Sequence, residues 1–364
     1  MNKTLSSVDL FALEREFQVL VRAKLQQIYH PSKTEFCLHF HVPGKGKQYM
    51  RIIAGKMINF ASEKRSSLKP SGLTMLLRKH ISGAVIEKVW QRRSERIIIF
   101  DLIMKDKKFH LIVELFSKGN VVLCDSNWKI LALQSWQLRR SGAVKMKQEY
   151  KFPESLFNWK ECNEAEFAKV VLNSDKKNLA TALATEIGLG GNFAEEICVR
   201  SGIDAKLAIK EVSTKEIKKM FLELTTLKKE LEVSRGYVFE KEISAVKLLN
   251  SKAEKLLEEK ESFSSALDLV NPLVKVSPYL KKIERIEKII EKQEEACSLI
   301  EKEIEQNSLK GELIYEKYSD IAKLQEVVAA MKKTKSWDEI KKELEKLSKV
   351  KSLDLKKKAV VLDL

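Results

Sequence analysis

The chain has 364 residues, 44% of them hydrophobic and 32% charged, and its 67 Lys and Arg outnumber 51 Asp and Glu to give a formal net charge of +16. That is material for two or three domains, and since residues 1–150 hold 27 basic and 12 acidic side chains, 15 of the 16 net charges fall in one of them, which suits a polyanionic partner. No apolar run approaches the roughly 20 residues of a spanning helix and the N-terminus MNKTLSSVDL lacks a signal peptide's apolar core, so nucleic acid is favoured over membrane and a soluble, cytoplasmic protein is expected.

Ser6 and Ser7 can cap a helix over 6–21, in which Leu10, Leu13, Phe17, Leu20 and Val21 recur at helical spacing. Asp9 falls in its first turn, where a carboxylate is favoured by the unpaired N–H groups, so its structural explanation is sufficient. Strands are then expected near 25–29, 35–42, 48–54, 86–92, 96–104, 109–116, 120–124 and 130–135. Eight strands with few helices make an antiparallel α+β domain.

In the second strand Phe36, Leu38, Phe40 and Val42 form the apolar face, which leaves Glu35, Cys37, His39 and His41 on an outward polar one. Two histidines without a third ligand do not make a metal site, and neither metal nor cofactor is expected. Cys37, Cys124, Cys162, Cys198 and Cys297 are scattered with no CxxC pair, so they read as reduced thiols, mostly in the core.

Leu73, Leu76, Leu77 and Ile81 give one apolar face to a helix near 72–82, and Arg78, Lys79 and His80 cluster before Gly83 ends it. The pattern then alternates from Ala84 and becomes a continuous apolar run over 97–100, the mark of a half-buried strand followed by a buried one. Between them Arg92, Arg93, Ser94, Glu95 and Arg96 read as a hairpin tip. It is either a solvated turn or a set of guanidinium forks for an anion.

Near residue 160 the composition becomes helical. Leu179, Leu183 and Ile187 form one helix, Gly188, Leu189, Gly190 and Gly191 a tight turn, and Phe193, Ile197 and Cys198 the next helix. Such a helix-hairpin-helix can hold a phosphate on Gly188, Gly190, Gly191 and Asn192; the plain alternative is an ordinary joint. From Ile283 through Ile286, Ile290, Gln293, Cys297, Ile300, Ile304 and Asn307 the spacing alternates three and four, as in a coiled coil. A break at 307–311 would let Ile314, Tyr318, Ile321 and Val328 return as an antiparallel partner, an arm of about 40 Å at roughly 1.5 Å per residue. The chain ends in KKKAVVLDL, a basic linker and a strand with nothing to pair with.

The ordered set SSVDL, IYHP, LLRKH, SERI, ELFSKGNVVLCD, EIGLGGNFAEEIC, SFSSALD and KGELIYEKYSDI resembles the NFACT family of ribosome-associated quality control, which includes the group once called fibronectin-binding protein A and the nuclear export mediator factors. The resemblance spans nearly the whole chain. It implies an NFACT-N domain over 1–160, similar in fold to the start of the formamidopyrimidine-DNA glycosylases, an all-α helix-hairpin-helix domain over 161–272, and a coiled-coil middle arm over 273–350. Residues 351–364 would be a basic linker leading into the family's C-terminal NFACT-R domain, which this sequence lacks.

It further implies a protein that is not an enzyme. Such proteins bind a large ribosomal subunit, rRNA and ribosomal proteins, while it is obstructed by peptidyl-tRNA, and recruit aminoacyl-tRNA, alanyl-tRNA in many lineages, for mRNA-independent tailing. An E3 ubiquitin ligase is a further partner in eukaryotes only. The family's functional residues map onto Asp9 and the acid–Arg pair Glu95–Arg96, where the usual acid is Asp, and the basic Arg78, Lys79, Arg92 and Arg93 extend the tRNA-binding set. A rival is a DNA-repair glycosylase, but its N-terminal Pro nucleophile has no counterpart in Met1-Asn2-Lys3. An adhesin for fibronectin would require export, which this N-terminus does not support.

Overall fold

In the computed structural model, which describes residues 3–65, 70–139, 142–153, 157–249, 255–270, 278–344, 350–354 and 359–362, the chain forms two units, Met1–Val274 and Lys275–Leu364. Helix α1 (Ser7–Glu16) starts at an Ser6 cap and passes into a 3-10 turn, Phe17–Leu20. There follow β1 (Lys24–Ser32), β2 (Glu35–Val42), β3 (Gly46–Ile53), β4 (Met57–Ala61), α2 (Gly72–Ile81), β5 (Val85–Gln91), β6 (Ile97–Met104), β7 (Lys107–Glu114), β8 (Asn120–Asp125) and β9 (Ile130–Leu133). These strands make one antiparallel sheet in the order β4-β3-β2-β1-β5-β6-β7-β8-β9. Strand β4 is not among the strands expected from the sequence.

The sheet curls until two of its turns touch. Strands β3 and β7 are far apart in strand order, yet the Gly55 N–H after β3 donates to Glu114 O at the end of β7 at 3.1 Å. The turns after these strands meet so closely that a Cβ on Gly119, at φ +68°, would fall 1.8 Å from Gly55 N. Inside the curl, Ile98 and Phe100 of β6 join Leu10, Leu13, Phe17, Phe36 and Phe40 in the main core. Ile97 and Ile99, on the opposite face, pack with Ile112, Val122 and Tyr150. The period of two thus buries β6 on both sides, under a cover that includes β10 (Gln137–Arg139) and β11 (Gly142–Val144).

The helical stretch supplies α3 (Glu164–Leu172), α4 (Leu179–Thr185), α5 (Gly191–Ser201) and α6 (Thr214–Glu230). The expectation that 161–272 is all-α is corrected by β12 (Gly236–Phe239), β13 (Ile243–Ser244) and β14 (Leu256–Lys260), an antiparallel sheet in the order β13-β12-β14 that precedes α7 (Phe263–Asp268). These strands are too short for their alternation to stand out from the surrounding helices. Trp159, Phe167, Leu183, Phe193 and Phe263 share the core of Leu10 and Phe17, so the core is continuous across residue 160.

The outward polar face expected on β2 is exposed only at one end. His41 is exposed and His39 half-buried, but Glu35 and Cys37 are buried. Glu35 accepts from the fully buried Arg51 Nε at 2.7 Å, and Arg51 Nη1 donates to Val270 O at 3.1 Å. Asp268 accepts from the Ser62 N–H and hydroxyl, so the end of α7 is fastened over this face. The described cysteines are all free thiols: Cys37, Cys124 and Cys198 are buried, Cys162 half-buried and Cys297 exposed.

In the second unit α8 (Pro278–Glu316) runs unbroken for 39 residues. The break expected at 307–311 is therefore absent, since a glycine in an exposed helix costs only about 1 kcal/mol. The turn comes at Lys317, before α9 (Tyr318–Met331). Val328, expected to return along α8, packs instead with Ile340 and Leu344 of α10 (Trp337–Leu344). Ile286, Ile290, Ile300 and Ile304 stay 46–60% exposed, so among the described residues no second helix covers the stripe. The strand expected to lack a partner, β16 (Ala359–Leu362), pairs with β15 (Val350–Asp354), while the lysines of KKKAVVLDL lie outside the described residues. No described helix is long and apolar enough to cross a membrane.

Candidate nucleic-acid interface

Asp9 closes the capping box of α1, where the Ser6 N–H and hydroxyl both donate to its Oδ2 at 2.8 Å. The cap needs only that oxygen. Oδ1 is buried with no hydrogen-bond partner among the described residues, on a side chain 1% exposed. Lys3 Nζ stands 3.5 Å from Oδ2 and 2.5 Å from Glu242 Oε1, in the loop between β12 and β13. Glu242 Oε2 accepts from Asn192 Nδ2 at 2.7 Å. Burial pushes the Asp9 carboxyl above its ordinary pKa, against the opposing pull of Lys3 and the Ser6 donors. Burial lowers Lys3, but Asp9 and Glu242 together outweigh it and leave that amine above its usual value.

The hairpin tip between β5 and β6 is pinned on several sides. Gln91 Nε2 donates to Ser7 O at 2.9 Å and Glu95 O at 2.7 Å, and the Ser94 hydroxyl donates to Phe157 O at 2.6 Å. Arg92 stacks on Phe152 with its guanidinium carbon 3.8 Å from the ring centroid, and its Nε lies 3.3 Å from Glu95 Oε2. Glu95 therefore pairs with Arg92. Arg96 is half-buried, donates a long 3.5 Å bond to Leu5 O, and has no ion pair to a carboxylate among the described residues. Its burial holds its pKa below the ordinary arginine value.

The glycine turn between α4 and α5 has Gly188 at φ +86° and Gly190 at φ +82°, a backbone region that side chains strain. Gly188 O accepts from the Ser7 hydroxyl at 2.6 Å, and a Cβ on Gly190 would sit 3.2 Å from Ser6 Cβ. The turn is thus pressed against the start of α1, and the N-terminus of α5 opens beside Asp9.

These three features enclose one cavity of about 660 Å³, lined by Asp9, Glu95, Arg96, Gly188, Gly190, Gly191 and Asn192, with Lys3 and the apolar Leu5, Ile97, Phe116, Pro153 and Phe193. Seven of the eleven residues singled out in the sequence meet there. Arg78, Lys79, Arg92 and Arg93 do not line it. Arg78 donates through Nε and Nη2 to Ile28 O, Arg92 is held by Phe152, and Lys79 and Arg93 are exposed. Lys3, Phe116 and Glu242 carry no sequence signal, because they come from segments that only the folded chain brings together, and Phe193 is legible only as an apolar position of α5. Apolar walls, a buried bare acceptor and a guanidinium donor suit an unstacked base, held by its flat faces and read at its polar edge. Among the described residues no group of three or more His, Cys, Asp or Glu is placed to hold a metal ion.

The family model described as NFACT N-terminal and middle domains matches residues 6–360. The chain is 30% identical over 371 residues to the archaeal Rqc2 homologue aRqcH of Methanocaldococcus jannaschii, covering 94% of this chain and 54% of that protein. It is 34% identical over 161 residues to ribosome quality control complex subunit 2 of Saccharomyces cerevisiae, covering 43% of this chain and 15% of that protein. The chain thus spans about half the length of its archaeal relative and less of the yeast one. In fold it is similar to the fibrinogen binding protein from Staphylococcus aureus, with a TM-score of 0.62 and 18% identity over 72% of this chain and 97% of that one.

Proposed function

The chain belongs to the NFACT family, and from that premise we propose that it is an RNA-binding factor of ribosome-associated quality control. It binds a large subunit obstructed by peptidyl-tRNA and positions aminoacyl-tRNA, with alanyl-tRNA the first candidate, so that a stalled chain is extended without mRNA. The observation that carries this reading is the cavity joining the bare Asp9 Oδ1 to Arg96 and the glycine turn. The names of the archaeal and yeast relatives agree with it.

A base from a single-stranded loop enters between Leu5, Phe116 and Phe193, its amino group donating to Asp9 Oδ1 while Arg96 donates to an acceptor on its edge. The positive charge of residues 1–150 draws in the phosphate backbone without regard to sequence. The protein makes no bond itself, since the peptidyl-transferase centre of the subunit does so, and α8 with its exposed isoleucines meets the subunit.

RNA crosslinked to the wild type and to Arg96→Ala in lysate is to be sequenced, with circular dichroism confirming that both are folded. The wild type should enrich a few tRNAs and the variant should lose that selection more than its total RNA. An unchanged tRNA spectrum in a folded variant contradicts the role of Arg96, and enrichment of genomic DNA contradicts the whole reading.

A further inference from the structure

A second cavity, of about 600 Å³, lies on the other side of Arg96 and is lined by Thr4, Thr34, Lys56, Arg96, Ser117 and Lys118 together with the backbone of 53–55. The two cavities differ in charge. The lining of the first includes the carboxylates of Asp9 and Glu95 as well as Lys3 and Arg96, whereas the second presents three cations and three hydroxyls with no carboxylate in its lining. Its floor is rigid for a reason visible in the backbone: Gly55 and Gly119, both at positive φ, let the turn after β3 and the turn after β7 touch. Lys56 and Lys118, which follow and precede those glycines, are thereby brought to the same cavity. Arg96 lines both cavities and is half-buried without a carboxylate partner among the described residues, because Glu95 is turned to Arg92. A half-buried guanidinium without a carboxylate partner is open to an anion, and phosphate offers it two oxygens at once.

We propose that this second cavity is a phosphodiester subsite, in which Lys56, Lys118 and Arg96 hold a backbone phosphate of the same RNA strand whose base enters the first cavity. The subsite rests on the RNA reading only for the identity of the strand. Arg96 then acts as the divider of one nucleotide, with phosphate on one side and base on the other. The hydroxyls of Thr4, Thr34 and Ser117 donate to the remaining phosphate oxygens.

The test uses the full chain and the double variant Lys56→Gln/Lys118→Gln. Its comparison is Lys105→Gln/Lys107→Gln, which removes equal charge from the turn after β6 and the start of β7, outside both cavities. Deacylated tRNA is titrated across a range of salt, and lysine acylation is mapped by mass spectrometry with and without inorganic phosphate. For Lys56→Gln/Lys118→Gln the log–log salt slope should flatten by about 1 and the affinity should fall about tenfold or more. The comparison variant should change by less on both counts. Inorganic phosphate should shield Lys56 and Lys118 from acylation more than Lys105 and Lys107.

Equal slopes for the two variants, or equal shielding of the four lysines, overturn the subsite. If the wild type binds no tRNA, the RNA reading fails and the shielding alone decides whether the cavity takes phosphate. Lys118→Gln by itself, on an exposed side chain, repeats the measurement with a smaller effect should the double variant misfold.

Discussion

Asp9→Asn separates a carboxylate kept for folding from one kept for a ligand. The wild-type carboxyl is 1% exposed and its pKa is raised, with burial the largest cause. An acid raised in the folded state holds its proton more tightly there than in the free chain. Its contribution therefore weakens folding as pH rises through the unfolded value of about 4 towards the folded one, and the loss is complete above it. Asparagine keeps the shape of the neutral form, and its side-chain oxygen can still accept from the Ser6 N–H. Lys3 loses a partner at 3.5 Å but keeps Glu242 at 2.5 Å, so the stabilisation it draws from Asp9 is only partly missed. The variant should then be more stable than the wild type at neutral pH, by the roughly 0.5–2 kcal/mol typical when a functional group is sacrificed. That margin should shrink as the pH falls towards 4. Urea unfolding followed by the fluorescence of the buried Trp159 gives the margin at each pH, and tRNA binding is measured on the same samples. A variant less stable than the wild type by more than about 1 kcal/mol, a usual cost of losing a helix cap, would show that Asp9 is retained for α1 alone. Equal or greater stability with weakened tRNA selection is the outcome expected of a binding group.

Arg51→Ala should destabilise the first unit by about 3–5 kcal/mol, because it leaves Glu35 buried without its closest cation; Arg65, at 3.7 Å and partly exposed, is a weaker substitute. Equilibrium unfolding measures this, and a loss below about 1 kcal/mol would mean that the pair is not closed over as described. Gly119→Ala should be harsher than an ordinary surface glycine change, since it adds a methyl 1.8 Å from Gly55 N at φ +68°, and strain of this kind alone costs about 1–3 kcal/mol. Gly44→Ala, also at positive φ but with nothing within 4 Å, is the comparison. Equal melting temperatures for the two variants would contradict the close approach of the turns after β3 and β7.

Much of the first unit is legible because local pattern and burial agree. Phe36, Leu38, Phe40 and Val42 alternate and are buried as a face, and Ser6 with Asp9 announces the start of α1. Where chemistry depends on closure, the sequence is silent. Nothing near Lys3 indicates that Glu242 will meet it, and nothing in Gly55 or Gly119 shows that their turns touch. The sequence places Glu35 on an outward face of β2 because the cover over it comes from Val270 and α7, more than 200 residues away in the chain. The short β12–β14 sheet lies below the length at which periodicity separates strand from helix. In α8 the heptad spacing suggests a two-stranded arm, but spacing fixes only the stripe, and Gly311 does not end a helix whose neighbours favour it. For the candidate site, the glycine turn and Glu95–Arg96 were each visible as motifs, while the sharing of Arg96 by two cavities was not.

On the proposed function, a single-stranded base of a tRNA enters the cavity beside Asp9 and Arg96. Phe116 lines that cavity, so the most direct measurement replaces it with a photoreactive phenylalanine analogue, irradiates the full chain with total cellular RNA, and sequences the crosslinked fragments. Crosslinks should concentrate in one loop of a few tRNAs and be lost when Asp9→Asn and Arg96→Ala are combined in the same chain. Crosslinks spread over unrelated RNA and unchanged by those substitutions, or none at all from a folded chain that still binds tRNA, would contradict that function.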